Sequence, residues 1–204
     1  MTQNSQWLEV TKKVFNGILL YAGAGLLLGI FDPINSLVSA GDGLAALGGV
    51  KNASGGAGTF LSVLCNIFQA GVILGCILIY LGLTGFKNIL EGTDKKSIGK
   101  VRIAYILLLI GVAVDFIPLM GWVSAILGII ALIYMLLGYS ALKSSATFPE
   151  LARKGASQLF IALILLIVGE VLDFIPVVGD VLQGILSIIA YILTFLGWKK
   201  IKDA

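Results

Sequence analysis

Two stretches of the chain, residues 103–122 (IAYILLLIGVAVDFIPLMGW) and 161–180 (IALILLIVGEVLDFIPVVGD), decide how the rest is read. Each is an apolar run that closes on Asp-Phe-Ile-Pro, at 115–118 and again at 173–176, with Gly111 answering Gly169 and Gly121 answering Gly179. Proline has no N–H and disfavours helix at the residue before it, so Ile117 and Ile175 are expected to be extended and the chain to reverse there. A second apolar run comes after each turn, at 122–142 and 181–198. Each copy therefore reads as a helical hairpin with legs near the length of about 20 residues that crosses a bilayer.

Outward from these copies, further apolar stretches at 14–31 and 60–86 bring the count to six. Composition agrees: of 204 residues, 58% are apolar and only 12% charged, about half the charge of an ordinary soluble chain. The expected fold is an all-α polytopic membrane protein of six transmembrane helices, arranged as three tandem helical hairpins in one membrane domain, 1–204. Hairpin 1 covers 12–87 with an outer Gly/Ala/Ser-rich insertion at 39–59, hairpin 2 covers 95–143, and hairpin 3 covers 153–202.

The repeat extends beyond the turns. Three basic pairs, Lys12-Lys13, Lys95-Lys96 and Arg153-Lys154, are each followed after 18 intervening residues by Asp32, Asp115 or Asp173. A glutamate precedes each pair, at Glu9, Glu91 and Glu150, and each hairpin closes on Gly-x-x-x-apolar-Lys, from Gly82 to Lys87, Gly138 to Lys143 and Gly197 to Lys202. The first copy is degenerate, with Phe-Asp-Pro-Ile at 31–34.

Charge sets the expected orientation. With six spans, thirteen of the fourteen basic residues and five of the eleven acids share one side, net +8; Lys51 and six acids share the other, net −5. The positive-inside rule then places both termini in the cytoplasm and the chain in the plasma (inner) membrane. The apolar run after Lys13 continues past Ala22-Gly23-Ala24, so it reads as a retained first helix rather than a cleaved signal.

Chemistry is sparse. Without histidine, zinc sites and His-based nucleophilic catalysis are excluded. Cys65 and Cys76 lie about 16 Å apart along one helix, too far to bridge, and read as small buried hydrophobes. Gly55-Gly56-Ala57-Gly58 lacks the strand and the Gly-Lys-Ser/Thr ending of a phosphate loop and reads as linker. No enzyme activity, cofactor, metal or nucleic-acid partner is expected. Trp7, Trp122 and Trp198 fall where interfacial anchors belong, and Gly25 with Gly29 and Gly71 with Gly75 have small-residue packing spacing.

The candidate functional residues are the outer carboxylates. Asp32, Asp115 and Asp173 can cap their own turns by accepting N–H bonds. Together with Asp180 and Glu170 they can instead form an acidic mouth that concentrates cations. Glu170 lies a turn deeper, where a carboxyl must be paired, protonated or wet. Polar groups inside the spans are few, Tyr134, Ser124 and Thr194 among them; Asn66 and Gln69 share a face and are candidates for interhelical hydrogen bonds. The expected function is a non-catalytic membrane scaffold or accessory subunit that packs with itself or a membrane partner in the lipid bilayer. The alternative is a small cation channel or transporter with the acidic mouth outermost.

Overall fold

The computed structural model describes residues 3–47, 56–115, 117, 119–172 and 179–204; the side chains at 3–4, 32–33, 43–47, 115 and 179–181 lie outside that description. Six α-helices account for nearly all of it: α1 (Gln3–Leu47), α2 (Ala57–Ile89), α3 (Gly92–Asp115), α4 (Gly121–Lys143), α5 (Glu150–Leu172) and α6 (Gly179–Lys202). All six contain segments long and apolar enough to cross a membrane.

Consecutive helices pack as antiparallel pairs, and glycines set how closely they approach. Along α1 and α2, Val14 lies against Gly82, Tyr21 against Gly75 and Ala24 against Gly71, and beyond them Phe31 stacks on Phe68 at 5.7 Å. A Cβ on Gly82 would come 2.6 Å from Val14 N, and one on Gly75 2.6 Å from Tyr21 N. Gly138 of α4 meets Val101 and the Ser97 carbonyl of α3, and Gly197 of α6 meets Leu159 and the Gly155 carbonyl of α5. Such contact, backbone on side chain without an intervening Cβ, gains dispersion energy that needs no hydrophobic drive and so persists in lipid.

The three repeat glycines thus hold equivalent places. Each meets the positions two or six residues after the start of its basic pair: Val14 in the first pair, Ser97 and Val101 in the second, Gly155 and Leu159 in the third. The apolar residue that closes each motif, Phe86, Leu142 or Ile201, is fully buried. The lysine after it reaches across to the first helix of the next pair. Lys87 lies over Gly99, Lys143 Nζ stands 3.6 Å from the Phe160 ring centroid, and Lys202 Nζ stands 4.5 Å from that of Phe15.

That last contact closes a ring. Each helix packs along its neighbours in sequence and α6 returns to α1, while across the middle Tyr139 of α4 meets Trp198 of α6. Trp7 Nε1 donates to the Ile201 carbonyl at 3.0 Å and Phe15 meets Phe195 at 5.2 Å, so the α1–α6 seam carries both polar and aromatic contacts.

The largest fully buried side chains gather at the end of the ring that carries the basic pairs, here the basic end. Ile18, Ile79, Leu83, Phe86, Leu142 and Trp198 fill it and are almost wholly inaccessible. Toward the other end, no α4 residue before Ala131 is buried and no described α6 residue before Ala190. Trp198, expected as an interfacial anchor, is instead fully buried, edge-on to Tyr139 at 6.4 Å. It takes the place in the third copy that Leu83 and Tyr139 hold in the others, one residue after the packing glycine, and that position points inward.

The first pair departs from expectation at Asp32-Pro33. The chain does not reverse there; α1 runs 45 residues without interruption, about 68 Å at roughly 1.5 Å per residue. In the second copy α3 ends at Asp115, Met120 N donates to the Ile117 carbonyl at 3.1 Å, Leu119 adopts a left-handed φ of 68°, and Gly121 opens α4. The first copy lacks a glycine three residues after its proline, Ser36 standing where Gly121 and Gly179 stand, and the helix continues. Much of the expected 39–59 loop is therefore helical, as the end of α1 and the start of α2. Asn35 Oδ1 accepts from Ser62 Oγ at 3.0 Å and ties this extension together. From Pro33 to Leu47 it continues for about 20 Å.

Candidate functional site

Of the five candidate outer carboxylates, only Glu170 has a described side chain. Asp32 lies inside α1, Asp115 ends α3 and Asp180 falls in the first turn of α6, all with side chains outside the description, and Asp173 lies outside the described residues altogether. Glu170 is described and is exposed on α5. Its Oε1 accepts from Gln183 Nε2 of α6 at 3.2 Å, a bond within its own helix pair. Gly169, beside it, makes room for Gln183, whose Cγ would lie 3.5 Å from an added Cβ. The carboxyl is thus provided with a donor by the adjacent helix, which meets the need that its depth creates.

Asn66 and Gln69 are both exposed on α2, and among the described residues neither makes a hydrogen bond to another helix. Asn66 lies about 30 Å along the helix from Phe86, a full hydrocarbon thickness, so headgroup water can satisfy both amides. Of the small-residue spacings, Gly71 and Gly75 do pack on α1 and Gly25 packs on Tyr191, whereas Gly29 has open space around it.

A feature that sequence reading missed lies at the centre of the ring, where the packed half ends. A cavity of about 120 Å³ is walled by side chains of α1, α3, α4, α5 and α6. Four tyrosines line it: Tyr21, Tyr105, Tyr139 and Tyr191, joined by Thr194. Tyr105 and Tyr139 are 5% and 3% exposed. Tyr21 and Tyr191 face each other at 6.5 Å across the α1–α6 seam, and Gly25 gives way to the Tyr191 hydroxyl, which would stand 3.0 Å from an added Cβ. Aliphatic groups, Leu108, Leu132 and Leu163 among them, complete the wall. The signal was present: Tyr105 comes four residues after Val101 and seven after Ile98, and Tyr139 comes four after Met135, so both continue inward helical stripes. Of the polar groups that stood out within the spans, Thr194 lines the cavity, whereas Tyr134, the one tyrosine among them, does not.

At the basic end a second, open groove of about 800 Å³ lies between the α2–α3 and α4–α5 connections, with Trp7, Glu91, Thr93, Asp94 and Thr147 along it. Asp94 is buried in the first turn of α3, where a negative charge complements the helix dipole. Its Oδ2 accepts from Thr147 Oγ1 at 2.7 Å, which fastens the α4–α5 connection to α3, while Oδ1 is buried without a partner among the described residues. Trp7, Phe86 and Phe148 pack over one another beside it, with Trp7 edge-on to Phe86 at 4.8 Å. The groove thus borders a structural clasp.

Among the described residues no group of three or more Cys, Asp or Glu side chains is placed to hold a metal ion. Compared with protein-family models, with curated proteins and with solved structures, the chain matches none.

Proposed function

We propose that the chain is a non-catalytic integral membrane scaffold or accessory subunit, built as three tandem hairpins and acting through helix packing with itself or a membrane partner. In this reading both termini face the cytoplasm and the host membrane is the plasma (inner) membrane, as the segregation of basic residues argues.

The observation that carries the reading is the filling of the basic half of the ring. There Ile79, Leu83, Phe86, Leu142, Trp198 and Ile201 are fully buried, and of the three buried polar residues among those described two bond within their own helix, Thr11 Oγ1 to the Trp7 carbonyl and Ser97 Oγ to the Thr93 carbonyl, while Asp94 accepts from Thr147. A conduit for cations needs a wet or liganded path, which a core of this composition opposes. The extension of the first pair adds support. Leu37 is 74% exposed and Phe60 64%, on a stretch that stands clear of a hydrocarbon layer of about 30 Å measured from the basic end. Exposed apolar surface in that position suits a partner's surface better than water.

The test uses purified protein in liposomes. Wild type, Glu170→Gln and Asp173→Asn are each assayed for cation flux, and the mass of the lipid-embedded species is measured alongside. No flux, with a defined oligomer or a stable complex, is the expected result. Conductance that Glu170→Gln or Asp173→Asn abolishes would establish the channel reading instead, and a solitary monomer without flux would remove the support for a scaffold.

A further inference from the structure

The tyrosine cavity goes beyond a scaffold's requirements, because a structure whose work is packing gains nothing from four phenols around a void. Burying a hydroxyl away from any partner costs free energy, about 1–3 kcal/mol by mutational measures. Phenylalanine would pack the same space without that cost. Among the described residues, the hydroxyls of Tyr21, Tyr105 and Tyr191 have no hydrogen-bond partner, and none of them is closed off by protein: Tyr21 and Tyr191 are half-buried, and Tyr105, 5% exposed, borders the cavity. They come from α1, α3 and α6, while Tyr139 approaches from α4 and Thr194 adds a further hydroxyl from α6. Thr194 Oγ1 donates to the Ala190 carbonyl at 2.8 Å, so its lone pairs stay available as acceptors.

We infer that this cavity is a built hydration site that holds a cluster of internal water at the centre of the ring. Its volume, about 120 Å³, corresponds to about four molecules at the roughly 30 Å³ each occupies in the liquid. A buried water needs two to four polar partners, and the lining supplies them: each phenol donates one bond and accepts others, and neighbouring waters supply the rest. The arrangement also accounts for Gly25, whose missing Cβ admits the Tyr191 hydroxyl that closes the α1–α6 side. Leu108, Leu132 and Leu163 supply the aliphatic part of the lining. The ligand class is water, bound as a small neutral hydrogen-bonding cluster; the site presents no charged side chain, so it is not an ion site.

Solid-state NMR of the wild-type protein in bilayers, with labelled tyrosine and isoleucine, tests this directly. Magnetisation is transferred from water, and single Tyr→Phe variants assign the tyrosine signals. Tyr105 and Tyr139 are expected to receive water magnetisation at least about fivefold faster than Ile192, which is exposed on the outside of α6. Build-up at Tyr105 and Tyr139 as slow as at Ile192 would overturn the proposal. So would uptake of xenon by the wild-type cavity, read at the Leu108 or Leu132 methyls, because xenon enters dry cavities. Neither result bears on whether the protein forms an oligomer, so this site and the scaffold reading stand or fall separately.

Discussion

Lys202 Nζ stands 4.5 Å from the centre of the Phe15 ring, so the last turn of α6 rests on the start of the apolar run of α1 and joins the ends of the chain. The equivalent lysine of the second pair makes the same kind of contact with Phe160 at 3.6 Å, and Arg102 lies 5.8 Å from the Tyr80 ring at the α2–α3 seam. A cation over an aromatic face contributes about 0.5–2 kcal/mol depending on desolvation. Each seam between pairs therefore carries one such contact.

Phe15→Leu keeps much of the bulk of the side chain and removes the π face. It should lower stability by about 1 kcal/mol, and in a double-mutant cycle with Lys202→Met the two losses should be less than additive. Thermal unfolding in detergent measures both. Fully additive losses would mean that the contact contributes nothing.

The repeat glycines should tolerate no side chain. At Gly138 an added Cβ would lie 2.5 Å from Val101 Cγ2 and 2.9 Å from the Ser97 carbonyl oxygen, and at Gly82 it would meet Val14 backbone. Gly82→Ala and Gly138→Ala should each cost about 1–3 kcal/mol through overpacking. Gly128→Ala, with open space around it, is the control and should be neutral or slightly stabilising.

Thr147→Val removes the donor to Asp94 Oδ2 while nearly preserving shape. Both oxygens of a buried carboxyl are then left without a side-chain donor. The expected loss is about 1–3 kcal/mol, and Thr147→Ser should recover most of it. Faster proteolysis within residues 144–149 in the valine variant would locate the effect at the α4–α5 connection.

Much of this architecture was legible in the sequence. Six apolar runs gave six helices, and Gly-x-x-x-apolar-Lys marked a packing glycine, a core residue and a seam lysine, because helix packing in lipid depends on small residues that leave a sequence trace. Two features were not. The continuation of α1 through Asp32-Pro33 depends on the residue three places after the proline, Ser36 rather than glycine, and a proline alone does not decide between a kink and a turn. The tyrosine cavity depends on which helices become neighbours, which periodicity along one helix cannot reveal. Glu170 stood out by its depth, but its partner Gln183 lies thirteen residues away on the next helix, a pairing set by the register of α5 on α6.

Closure of the ring is the claim on which the rest depends, and cross-linking between α1 and α6 tests it most directly. Phe15→Cys and Phe195→Cys are introduced together, at rings 5.2 Å apart, in a chain whose native cysteines are replaced by alanine, and a short bifunctional thiol reagent is applied in native membranes. Rapid cross-linking within single chains, visible as a faster-migrating monomer and absent from either single variant, is the predicted result. Cross-links that form only between chains, or none at all, would contradict a ring closed by the last helix on the first.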